Sequence, residues 1–245
     1  MNNTYPPFAG FSKELFKFLS DLEKNNNSEW FYKNKDRYQK YLVLPCRSFV
    51  SDIGSFFNLL NPAIRTEPKF NKTLMRISKD MRFTKGEPYR NYFLIHFGKF
   101  KMDSEFFVYL NKNIVEYGLF INASRGDDLY FTENINTYEK NIKEVIIRYK
   151  INKQFALSEI KKENEKLIDV FDVKKHFHYL KELKMFVLTK KLDKSDKLTA
   201  SPNFITEAVK SFSKLYPLYC FCISPQPQNI LNDFTDKLGL PKEKI

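Results

Sequence analysis

Cysteine occurs at only three of the 245 positions, Cys46, Cys220 and Cys222, too few and too unevenly spaced for a disulfide framework. That excludes a disulfide-stapled secreted scaffold and makes a reducing compartment, the cytoplasm, the expected location. Nowhere do ~18 apolar residues follow one another, so no membrane-spanning helix and no membrane partner are expected. The opening MNNTYPPFAGF has no basic stretch leading into an apolar run, so no signal segment is expected. Histidine is also scarce. His176 and His178 are two apart, which turns them to different sides of a helix, and no cysteine or carboxylate cluster stands near them. No metal site and no cofactor are expected on that spacing. Cys220-x-Cys222 lacks redox spacing in an apolar helix end, so buried free thiols are expected there. Arginine stands at eight of the 41 basic positions, which leaves 33 lysines (41 − 8). No set of residues in the chain matches a known reaction.

Aromatic rings are plentiful, 25 Phe and 14 Tyr against one Trp, so rings supply much of the core that a chain of this length buries. The net charge is +12. Dispersed lysine mostly solvates a surface, so the informative charge is local. It lies in Lys69 to Arg90, KFNKTLMRISKDMRFTKGEPYR, where seven cations (Lys69, Lys72, Arg76, Lys79, Arg82, Lys85, Arg90) face only Asp80 and Glu87. Three of the eight arginines are in this stretch.

The apolar spacing predicts a helix after Ser12 as N-cap, with Phe11 stapled on Phe16 and running to about Lys24. A second helix capped by Ser28 continues to Leu60, with Pro45 expected to split or kink it, and Trp30-Phe31 is expected to anchor the core. Strands are expected over Thr73–Ser78, Tyr92–Phe100, Phe106–Asn111 and Tyr117–Asn122, the last two joined as a hairpin through Lys112 to Glu116. Helical spacing returns after Gly126, with Phe155 to Lys166 read as a weaker, charged continuation and Val173 to Leu183 as a further helix. Met185–Thr189 reads as a strand, and Ser201-Pro202 opens a last helix, bent at Pro217. The expected fold is α+β, an antiparallel sheet with helices mainly on one face and helices at both ends, in one domain over 1–245. A division, if there is one, falls near Gly126.

Asn26, Asn27, Trp30, Phe31, Lys35 and Tyr38 form one block, and Arg76, Ile77, Asp80, Arg82, Phe83, Lys85, Pro88 and Tyr89 a second. Together they resemble the bacterial family catalogued as domain of unknown function 2461, whose marks are Asn-Asn…Trp-Phe and Arg-Ile-x-x-Asp-x-Arg-Phe-Ser-Lys. The resemblance covers most of the chain. Here Gly86-Glu87 replaces a longer acidic-basic turn, and the family's glycine-rich hairpin is reduced to Gly118. The resemblance implies a single cytoplasmic, bacterial domain and supplies no activity.

Arg76, Asp80 and Arg82 are evenly spaced, so in an extended stretch they share one face. Asp80 would orient both guanidinium forks toward a phosphate or carboxylate, with Lys79 or Lys85 adding a point charge. The competing reading is a structural ion-pair network. Thr84 to Tyr89 is a turn by composition, without the glycine spacing of a P-loop, and Phe83 and Tyr89 are candidates to stack on a ring. The ligand-binding set is therefore Arg76, Lys79, Arg82, Lys85, Tyr89 and Arg90, with an anionic ligand, nucleic acid among the candidates, as partner. The alternatives are an enzyme on a small anionic substrate with Asp80 or His96 as base, and a docking module for an acidic protein. Oligomeric state is open.

Overall fold

The structure is a computed structural model that describes residues 5–82, 85–100, 103–160 and 167–237. Helix α1 (Lys13–Lys24) buries Leu15, Phe16, Phe18, Leu19 and Leu22, the stripe that 3.6-residue spacing demands. Ser12 precedes it in extended conformation but makes no side-chain cap bond. Helix α2 (Ser28–Lys33) is capped by Asn27 rather than by the expected Ser28: Asn27 Oδ1 accepts from Trp30 N at 2.9 Å. Trp30 and Phe31 are half-buried, so they do not form the expected core anchor. A six-residue helix at the edge leaves one side of each ring in water.

Helix α3 (Lys35–Arg37), a π-turn (Tyr38–Val43) and helix α4 (Leu44–Leu60) follow one another directly. The disturbance expected at Pro45 takes the form of that π-turn. Proline cannot donate to the Tyr41 carbonyl, and the wider i→i+5 turn before it carries the chain past the missing N–H.

Next come β1 (Tyr92–Phe97), β2 (Glu105–Asn111), β3 (Ile114–Asn122), α5 (Phe131–Thr137) and α6 (Glu139–Arg148). They are followed by β4 (Ala156–Glu159), β5 (Leu167–Ile168), α7 (Val173–Glu182), β6 (Met185–Asp193), α8 (Phe204–Ile223) and α9 (Pro227–Lys237). Among the described residues the strands form one six-stranded antiparallel sheet in the order β1-β2-β3-β6-β4-β5. The class is α+β, with helices at both ends, as the sequence implies.

Four element readings change. The β2–β3 connection is tighter than Lys112 to Glu116, because Asn111 Oδ1 accepts from Asn113 N at 2.8 Å and Ile114 N at 3.0 Å and closes the turn. Thr73–Ser78 is held by isolated bridges rather than a strand ladder. The helical reading of Phe155 onward fails. Lys150 and Lys153 have φ of 57° and 60°, which ends the helix, and Ala156 to Glu159 pair antiparallel with Thr189 to Phe186. The remainder of that stretch, residues 161–166, lies outside the described residues. Finally, α8 is not the last helix, since α9 buries Leu231 and Phe234 beyond it.

The chain falls into two compact units, residues 1–97, 107–117 and 191–209, and residues 98–106, 118–190 and 210–245. In the first unit Phe8, Phe11, Phe49 and Phe204 gather with ring centres between 5.0 Å and 6.4 Å. Such tilted and edge-on pairs are the preferred aromatic geometry. In the second, Phe106 lies 4.9 Å from Tyr219 and 5.4 Å from Phe212. Gly118 there passes so close to β6 that a Cβ would lie 2.0 Å from the Leu188 carbonyl oxygen. Cys220 and Cys222 are buried free thiols in α8.

The second unit also buries a carboxyl. Asp103 is fully buried, and its oxygens accept from Ser104 N at 2.7 Å and Lys99 N at 3.3 Å. Burial pushes its pKa up to about 6, against those two bonds. Nothing in the sequence around it marked this position.

Candidate basic surface

The described residues of the basic segment belong to the first unit, with turns at 71–73 and 81–82 and bridges to the returning pass between them. Met75 N donates to Leu94 O at 3.0 Å and His96 N to Thr73 O at 2.9 Å, while further along Arg90 N donates to Ile77 O and Lys79 N to Pro88 O, both at 2.8 Å. Two passes of chain thus run antiparallel. Leu74 and Ile77 are buried, whereas Arg76, Ser78, Asp80, Met81 and Arg82 are exposed, so each member of the evenly spaced row meets solvent, although strict strand alternation does not hold across it.

The three members of that row are not joined as expected. Asp80 is taken by Arg82 alone: Nε and Nη2 donate to Oδ1 and Oδ2 at 3.0 Å and 2.7 Å, and the Arg82 N–H adds a longer bond at 3.2 Å. This pair holds the Asp80 carboxyl below its ordinary range, which makes it a weak proton acceptor. Arg82 keeps 80% of its side chain in solvent. Arg76 makes no side-chain hydrogen bond or ion pair among the described residues. Arg90 turns back instead, with Nη1 donating to Ser78 O at 2.7 Å and Arg76 O at 3.0 Å, and so braces the two passes. Lys85 is exposed and Lys79 half-exposed. Gly86, at φ 96° with nothing within 4 Å of a Cβ, makes the turn that only glycine adopts freely.

The side chains that hold this segment come from the Asn-Asn…Trp-Phe block. Asn26 Nδ2 donates to Tyr89 O at 2.9 Å, and Asn26 Oδ1 accepts from Tyr89 N at 3.0 Å. The same Nδ2 reaches Glu87 Oε2 at 3.0 Å. Phe31 stacks on the Tyr89 ring, 4.1 Å between centres and 16° between planes. The ring of Tyr89, 8% exposed, is therefore packed rather than presented. Its partner in the stacking idea, Phe83, lies outside the described residues together with Thr84. An asparagine that mimics a strand partner by bonding both backbone groups of one residue is visible only once the two blocks are brought together, although each block was conspicuous alone.

His96 is half-buried on β1 between buried Ile95 and Phe97, so strand alternation turns it from the core as the sequence suggests. His176 Nδ1 accepts from Asp172 N at 3.0 Å and so helps to close the start of α7. Two of the cations near α2 are matched: Lys33 pairs with Glu29 at 2.7 Å and Arg37 with Asp21 at 2.8 Å.

Two cavities of the first unit lie on other surfaces. One, about 380 Å³, is lined by Asp36, Gln39, Lys40, Val43, Leu44 and Arg47; the other, about 340 Å³, by residues of α1 with Lys194 and Ser195. Neither contains a residue of the basic segment. Among the described residues no helix is long and apolar enough to cross a membrane.

No curated protein matches the chain in comparison. A family model described as "Conserved hypothetical protein (DUF2461)" matches residues 14–221, more than four-fifths of the 245. Both blocks joined by Asn26 and Tyr89 fall inside the matched region. The chain therefore belongs to the family of domain of unknown function 2461.

Proposed function

We propose that this protein binds a phosphate-bearing ligand, nucleic acid in the first instance, on the open basic surface formed by Arg76, Lys79, Arg82 and Lys85. The observation that carries the reading is Arg76: an exposed guanidinium, without a partner among the described residues, six residues from the exposed Arg82. A fork with unused donors is suited to bidentate capture of a phosphate. The rigid backing supplied by Arg90, Asn26 and the Phe31–Tyr89 stack supports the same reading, because a preordered surface loses less entropy on binding. Arg90 and Tyr89 take supporting places in it rather than ligand contacts. A clamp-and-base enzyme is less well supported, since Asp80 is occupied by Arg82 and held in its ionised form. The free, buried thiols support a reducing compartment, the cytoplasm, as the location in this reading.

The test is titration of a fluorescent duplex oligonucleotide, and of its single strand, across a salt series. Contact with about four phosphates predicts a slope in log K against log salt of roughly −3.6 for the duplex and roughly −2.8 for the single strand. The double variant R76A/R82A is expected to lose most of the binding while melting as the parent does. Absence of oligonucleotide binding, or a flat salt response, excludes nucleic acid; binding that survives the double variant removes the site.

A further inference from the structure

Apart from the basic segment, one more cation of the first unit lacks the partners its burial calls for. Arg47, in the first turns of α4, is half-buried, and its Nε is shut off from water with no hydrogen-bond acceptor. Its guanidinium carbon lies over two rings, 5.7 Å from the centre of Tyr5 and 5.6 Å from that of Phe70. Rings satisfy the charge but accept none of the five N–H bonds. Among the described residues no carboxylate or carbonyl takes the remaining donors. Leaving the buried Nε–H unmet is costly, while the outer N–H groups of the half-buried fork remain open to an acceptor.

Arg47 also lines the 380 Å³ cavity along the π-turn. The other lining side chains are ordered along the helix. Val43 and Leu44, one turn before Arg47, make the apolar part of the lining beside it, and Lys40 and Gln39, about one further turn back, supply a second cation and an amide. Lys40 sits over the Tyr41 ring at 5.2 Å and makes no ion pair among the described residues. Asp36 lines the same cavity but makes no ion pair with Arg47 among the described residues. The π-turn that follows from Pro45 sets this register, so a backbone irregularity and an unsatisfied arginine coincide at one cavity.

We propose that this trough is a binding site for a small organic oxyanion, a phosphate or carboxylate head gripped by the Arg47 fork with an apolar body resting on Val43 and Leu44. The ring-held guanidinium is already oriented, and the head group supplies the acceptors that the protein does not. Lys40 adds long-range attraction rather than a direct bond to the head. The site is separate from the surface assigned to nucleic acid.

The experiment uses the full chain and three probes: phenyl phosphate, benzoate and inorganic phosphate. Binding is followed by calorimetry and by the Arg47 Nε–H resonance. Phenyl phosphate or benzoate is expected to bind saturably and to shift that resonance, with inorganic phosphate weaker because it leaves the apolar part of the lining uncovered. R47K keeps charge and stem but loses the fork, and should weaken binding about tenfold or more; R47M should abolish it. R82A should leave it unchanged, so failure here and failure at the basic segment are told apart. Should R47M not fold, R47K carries the test alone. The proposal is overturned if none of the probes saturates, if inorganic phosphate binds as well as phenyl phosphate, or if R47K binds as the parent does.

Discussion

Replacing Asp103 with asparagine should change the pH dependence of stability by an amount set by its burial. The carboxyl is fully buried, with Lys99, Glu105, Tyr219 and Cys222 as its charged or titratable surroundings. Its folded pKa of about 6 stands above the ordinary 3.8. A carboxyl with a raised folded pKa binds its proton more tightly in the folded state. Its contribution is therefore most favourable below pH 4 and declines as pH rises from 4 to 6. By pH 7 the full difference has been lost, about 2 pH units at 1.36 kcal/mol each, or about 3 kcal/mol. Other carboxyls work in the opposite direction; Glu139, joined to Lys143 and Lys181, is lowered to about 2. The raw stability curve therefore mixes both, and the informative quantity is the difference between D103N and the parent. Asparagine keeps an acceptor for Ser104 N but does not ionise. Urea unfolding at pH 4 and pH 7 should show D103N gaining about 2–3 kcal/mol on the parent between the two. A gap that stays constant, or one that moves in the parent's favour as pH rises, refutes the account of Asp103 as a buried carboxyl penalised by desolvation.

Other substitutions test the packing and the surface. Gly118→Ala places a methyl 2.0 Å from the Leu188 carbonyl oxygen, so β3 and β6 must separate; a loss of at least ~2 kcal/mol is expected by thermal or urea unfolding. Asn26→Ala removes both bonds to the Tyr89 backbone and should cost ~1–2 kcal/mol. Amide exchange at Tyr89 should accelerate in that variant far more than at Phe97. Arg82→Ala breaks a pair that is largely in solvent, so the melting temperature should hold while oligonucleotide affinity falls; a large drop in melting temperature would instead mark a structural network.

Much of the architecture is written in local pattern. The stripe Leu15, Phe18, Leu19, Leu22 specifies α1, and the compact run Met185 to Thr189 specifies the buried half of β6. These succeed because period and burial agree within one element. Where the readings fail, the deciding contact is remote. Ala156 to Glu159 look like charged helix until β6 offers them backbone partners, and Thr73–Ser78 has strand composition but only isolated bridges beside β1. Trp30 has the area of a core residue, yet α2 is too short to bury it.

For the site, the chain by itself determined that seven cations crowd into residues 69–90; the shared face expected of Arg76, Asp80 and Arg82 supposed an extended backbone, which the turn at 81–82 interrupts. Which guanidinium stays available was decided only in three dimensions. Arg82 turned to Asp80, Arg90 to two carbonyls and Tyr89 to Phe31 and Asn26, leaving Arg76 exposed. Arg47 went unremarked in the sequence for the same reason: a lone arginine on a helix becomes a candidate only when rings from Tyr5 and Phe70 close over it and no acceptor arrives. Hydrogen-bond partners and burial are set by residues far apart in the chain, and one-dimensional spacing carries no record of them.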